Sequence, residues 1–288
     1  MQTSTLAVPG ASITYDVRGQ LPTSDGAPPL LLIGQPMTAD GFVSLAANTQ
    51  DRTVVTYDPR GLGRSQRTDG RTEHDPRQQA DDLHALITEL GGGPVDVFGS
   101  SGGAIAGLAL VERHPQDVRT LVAHEPPLLP LLPDAGAALK ASAAVTSTYH
   151  RAGWGAGMAH FIAMVSWQGE FPDDWADRPA PDPAMFGMPT EDDGRRDDPL
   201  LSGVSDGVSG YVPDIEALRA APARIVIGVG EETGGAMTAR TSTATAQALG
   251  TEVVLFPGDH GGFLGGEFGQ HGKPEAFAVR LREVLAGS

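Results

Sequence analysis

The chain has 288 residues, 40% of them hydrophobic, with 20 Lys and Arg against 36 Asp and Glu and a formal net charge of −16. That length suits one large α/β domain with room for an inserted subdomain, and the apolar share is enough for a packed core. The acidic balance disfavours nucleic acid and anionic membranes as partners, and the absence of cysteine excludes disulfides, thiolate metal ligands and a cysteine nucleophile.

The first segment, MQTSTLAVPGASITYDV, has neither the basic start nor the apolar stretch of a signal peptide. No apolar run approaches the 18 or so residues that span a bilayer, so a cytoplasmic location is expected. Short apolar runs bounded by Gly, Pro or Asp then read as buried parallel strands. They are PLLLIG (29–34), RTVVTYD (52–58), VDVFG (95–99), VRTLVAHE (118–125), ARIVIGVG (223–230) and TEVVLFPG (251–258). Helical patterns fall between most of them. Apolar residues at 80, 83, 86, 87 and 90 give a 3.6-residue period over 75–91. A small-residue helix covers 102–115 and stops at Pro115, and two more cover 237–250 and 273–287. Strands alternating with helices imply a mostly parallel sheet with helices on both faces.

One region breaks the alternation. From Pro126 to about Val212 no strand pattern occurs, and all three tryptophans (Trp154, Trp167, Trp175) lie there. An insertion this long reads as a helical cap over 127–212 between core segments 1–126 and 213–288. Its aromatics either pack the cap's own core or wall a substrate pocket.

The stretch VFGSSGGAI places two serines on a turn from strand to helix. A sharp turn that exposes a nucleophile needs small residues on both sides. Centring the G-x-S-x-G pattern on Ser100 puts bulky Phe98 two residues before it, whereas Ser101 is flanked by Gly99 and Gly103. Ser101 is therefore the candidate nucleophile, and it needs a base to take its proton. Among the eight histidines, His260 in FPGDHGGF follows the last strand, at the carboxyl edge where catalytic groups gather in open parallel sheets. His74, His84, His114 and His271 read as solvated, and His124, at a strand end beside the site, as structural or pocket-lining.

With these motifs in place the chain resembles the α/β-hydrolases. The likeness runs through LLLIGQPM, YDPRGLGRS, FGSSGG and FPGDHGGF. It implies an eight-stranded sheet, an elbow serine after the fifth strand, a cap after the sixth and a histidine after the eighth. The family's usual acid, an aspartate after the seventh strand, is missing, because Thr233 stands there in VGEETGG. Glu231 and Glu232 are adjacent substitutes. The alternative is Glu125 in LVAHEPP, where haloalkane dehalogenases and zearalenone-type lactonases carry their acid.

The resemblance also implies an oxyanion hole from the backbone amides of Gly102 and Gln35. In the family's H-G-x-P loop the histidine is here Ile33, and Met37 follows, facing the pocket. Met37, His124, Trp154 and Trp167 are the expected pocket residues, and Asp58 and Arg60 read as loop braces. No dinucleotide, P-loop, HExxH or EF-hand pattern is present, so neither cofactor nor metal is expected. The expected activity is hydrolysis of an ester or lactone of a mainly apolar small molecule by a monomer or homodimer. The rivals are perhydrolysis or cofactor-free oxygenation on the same scaffold, and a low-turnover receptor. A serine nucleophile argues against dehalogenase and epoxide-hydrolase chemistry, which use aspartate.

Overall fold

Residues 1–23 and 26–287 are described by a computed structural model, in which nine strands form one sheet. They are β1 (Gln2–Val8), β2 (Ala11–Arg18), β3 (Leu30–Ile33), β4 (Val54–Tyr57), β5 (Gln66–Arg67), β6 (Val95–Ser100), β7 (Val118–His124), β8 (Arg224–Gly230) and β9 (Val253–Phe256). Their order is β1-β2-β4-β3-β6-β7-β8-β9, with β5 paired to β2 off that path. The pairings of β2 with β1, β4 and β5 are antiparallel and all the others are parallel. The ninth strand beyond the expected eight is the two-residue β5.

Period-two alternation explains why the central runs are apolar throughout. Leu31 and Ile33 of β3 join Val97, Leu121 and Ile227 on one face, while Leu30 and Leu32 join Phe98, Val122 and Val226 on the other. Helices α1 (Val43–Ala47), α2 (Pro76–Glu89) and α3 (Gly102–Arg113) follow β3, β5 and β6. The Asp75 side chain accepts the Arg77 N–H and caps α2, whose Ala80, Leu83, Leu86 and Ile87 then pack with α3 against the first face.

The segment between β7 and β8 has no strand among its described residues. It contains the long helix α4 (Ala135–Val165) and the short α5 (Asp206–Ser209), and α6 (Ile215–Ala220) leads back to the sheet. Gly153 interrupts α4 with φ 84° and ψ −175°. A Cβ there would meet the Asp192 carboxylate, so the kink is pinned to the chain that crosses it. Leu129, Ala141, Val145, Tyr149, Phe171 and Trp175 form a separate apolar cluster in this insertion. The core closes with α7 (Met237–Leu249) and α8 (Pro274–Ala286), whose Phe277 and Leu281 cover the second face.

Candidate active site

Ser101 sits between β6 and α3 with φ 55° and ψ −124°, a conformation that strains any residue with a Cβ. Gly99 and Gly103 let the chain turn this tightly. A Cβ on Gly99 would lie 2.7 Å from the Gly103 carbonyl oxygen, and one on Gly103 would overlap the Ile33 carbonyl of β3. Ser100 remains in β6, 2% exposed, while Ser101 is partly exposed and its N–H donates to the His124 carbonyl at 3.0 Å. Among the described residues the Ser101 hydroxyl has no hydrogen-bond partner, so it is not bonded to His260 here.

Glu125 leaves the end of β7 with φ 50° and is wholly buried. Four donors converge on its carboxylate. The Gly230 N–H (2.9 Å) and the Thr233 hydroxyl (2.5 Å) reach Oε1, and the Thr238 hydroxyl (2.6 Å) and His260 Nδ1–H (2.7 Å) reach Oε2. Burial opposes the charge, yet the hydrogen bond and charge of the His260 imidazole, with the His124 imidazole and the Thr233 hydroxyl, hold this carboxyl well below the usual range. His260 Nδ1 is thereby committed to Glu125, and Nε2 is the ring nitrogen that remains. Of the alternatives, Glu231 is exposed, and Glu232, 56% exposed, pairs with Lys273. The structure brings neither to His260. Sequence reasoning passed over Thr238 and read Thr233 only as a missing acid, whereas both hydroxyls brace Glu125.

The loop after β3 runs beside the elbow. A Cβ on Gly102 would sit 2.6 Å from the Gln35 carbonyl oxygen, so the two residues are in direct contact. Among the described residues neither the Gln35 nor the Gly102 backbone N–H has a protein acceptor. Asp58 braces the far end of this loop by accepting the Ala39 N–H (3.0 Å), and it also takes the Arg64 N–H (2.8 Å). Arg60 is held in a two-pronged pair with Asp82 (2.8 and 2.5 Å). Both residues thus serve as loop braces.

A family model described as alpha/beta hydrolase fold matches residues 28–152. The uncharacterized hydrolase YraK of Bacillus subtilis (strain 168) is 31% identical over 264 residues, which span 90% of this chain and 89% of the relative. The chain belongs to the α/β-hydrolase superfamily. The fold of this hydrolase is shared by an esterase from Thermogutta terrifontis, with TM-score 0.65, 21% identity and coverage of 100% and 99% of the two chains. An enol-lactonase from Burkholderia xenovorans LB400 matches with TM-score 0.63 and 17% identity over 98% and 100%.

Several expectations about the hydrolase's surroundings change. His124 lines no pocket. It is fully buried among Phe98, Phe256, Phe263 and Phe277, both ring nitrogens lack partners, and burial pushes it down to about 4. It ends β7, but alternation turns its side chain onto the face beneath α8 and not out over the carboxyl edge. Trp154 and Trp167 pack against the insertion's own cluster, with Trp154 donating to Asp198 (3.0 Å) and Trp167 to the Glu170 carbonyl (3.0 Å). Met37 is half-buried and folds over Gly34 and Gly41. His74 is not solvated but buried against Gln35. His84 and His114 stack at 4.1 Å and pair with Asp117 and Asp81. No helix among the described residues is long and apolar enough to cross a membrane.

Proposed function

We propose that the protein is a serine hydrolase that cleaves a carboxylic ester or lactone of a mainly apolar small molecule through an acyl-enzyme. The observation that carries this reading is the buried Glu125 carboxylate bonded to His260 Nδ1, at the strand edge from which strained Ser101 projects. Ser101 Oγ attacks the carbonyl carbon while His260 Nε2 takes its proton. Glu125 fixes the imidazole tautomer and stabilises the imidazolium that forms. The free amides of Gln35 and Gly102 receive the developing oxyanion. His260 then returns the proton to the leaving alkoxide, and a water activated by the same nitrogen releases the acid and restores Ser101. The insertion over 127–212 serves as the cap that shelters this chemistry.

The test is a fluorophosphonate adduct located by peptide mass, paired with p-nitrophenyl ester hydrolysis. The adduct is expected on Ser101, and Ser101→Ala is expected to lower kcat by about 10⁴ or more, because triad members act as a unit. An adduct on Ser100, no adduct, or unchanged turnover in Ser101→Ala overturns the reading.

A further inference from the structure

Ile33, where the family resemblance places a loop histidine, is wholly buried and apolar, so it offers no polar group to steady the loop. The Gln35 side chain, 3% exposed, is held in another way. Gln79 Nε2 of α2 donates to its Oε1 at 2.7 Å, and its amide nitrogen meets His74 Nδ1 at 2.5 Å. His74 is tied in turn to the insertion. Its backbone N–H donates to the Val204 carbonyl (2.8 Å), and Nδ1 lies 3.0 Å from the Ser205 hydroxyl, which donates to the Pro199 carbonyl (2.7 Å). From the same stretch, Val208 Cγ1 comes within 3.1 Å of where a Gly102 Cβ would stand. His74 and Gln79 therefore hold the side chain of the residue whose backbone amide, with that of Gly102, receives the oxyanion, while the insertion holds His74 and reaches Gly102. Gln79 Oε1 lacks a partner, yet Gln35, His74 and Gln79 hold one another in a buried place and so restrict the positions open to the loop.

We propose that His74 and Gln79 are positioning residues that fix the Gln35 amide for oxyanion stabilisation, and that the Val204 and Ser205 contacts couple seating of the insertion to that amide. The inference rests on the serine-hydrolase reading. The oxyanion forms only after attack, so a loosened amide lowers kcat and leaves substrate binding nearly intact. His74→Leu is expected to lower kcat for a p-nitrophenyl ester by about 10- to 100-fold, less than the 10²–10³ of losing a donor outright. KM is expected within about threefold, because ground-state binding does not use the oxyanion contact. Fluorophosphonate labelling of Ser101 should slow in parallel. His74→Asn, whose amide reaches the place of the imidazole Nδ1, should recover most of the loss. A purely structural role predicts instead that both variants fall together with a lowered melting temperature. If His74→Leu does not fold, Gln79→Leu removes the other arm and is read in the same way.

Wild-type kcat in His74→Leu, or equal losses in the Leu and Asn variants, overturns the proposal while labelling of Ser101 in the wild type keeps the hydrolase reading. A wild type that neither labels at Ser101 nor hydrolyses esters overturns that reading, and the inference with it.

Discussion

Glu125 concentrates more interactions than any other side chain at the site. Its two oxygens take one backbone amide, two threonine hydroxyls and the His260 imidazole, which together fill its acceptor sites in a place water does not reach. Replacing it with Gln keeps the shape but turns an anion into a group with its own N–H donors. One of those donors must then face His260 or a hydroxyl, which disfavours the tautomer that leaves Nε2 free. Glu125→Gln is expected to lower kcat by about 10³–10⁴, the scale seen when a triad carboxylate becomes an amide. Glu232→Gln alters only an exposed pair with Lys273 and is expected to stay within about twofold, since such pairs contribute ~0–1 kcal/mol. Steady-state ester hydrolysis by the two variants decides the matter, and collapse in Glu232→Gln alone reverses the assignment.

At the scale of elements, the elbow is a packing problem between β3, β6 and α3. Gly103, in the first turn of α3, lies against the Ile33 backbone carbonyl, and neither side can yield without moving a central strand. Gly103→Ala is expected to destabilise the fold by about 3 kcal/mol or more, the upper range for overpacking, as read by urea denaturation. An unchanged midpoint would show that α3 can shift. The same elements explain what was legible beforehand. Strands buried on both faces, such as β3 and β6, announce themselves as apolar runs. The β1 strand, QTSTLAV, alternates exposed and partly buried positions at the sheet's edge, so its polar half hides it. Ser101 and His260 were legible because local pattern marks them. Thr233, Thr238, His74 and Gln79 were not, because their partners lie 108, 113, 39 and 44 residues away and nothing local signals the meeting.

For the whole molecule, three buried histidines, His74, His124 and His160, shape the response to acid, and burial lowers His160 as well. Burial lowers His124 to about 4, and burial together with Arg67 lowers His74 to about 4, from the usual 6.5. The unfolded chain therefore takes up protons between pH 6.5 and 4 that the folded protein refuses. Stability is complete above about 6.5 and declines toward 4, by up to ~1.4 kcal/mol per pH unit for each group. His124→Leu removes one of the three and also two buried nitrogens without partners. It is expected to raise stability at pH 7 by about 1–3 kcal/mol, the scale of an unsatisfied buried group, and to flatten the decline between pH 6.5 and 4. Urea titrations at pH 7.5, 6 and 5 measure both effects, and an unaltered slope would refute the linkage.

The neighbouring ends of β7 and β8 have a consequence for tracing descent. Glu125 leaves one, Thr233 follows the other, and 2.5 Å separates their side-chain oxygens. In the proposed triad a carboxylate can migrate between these two posts during divergence while nucleophile and base stay in place, with a small hydroxyl left behind to serve the newcomer. A pattern search that demands an aspartate after β8 would file this chain among the dead relatives of its superfamily. A search that asks which acid faces the imidazole would not.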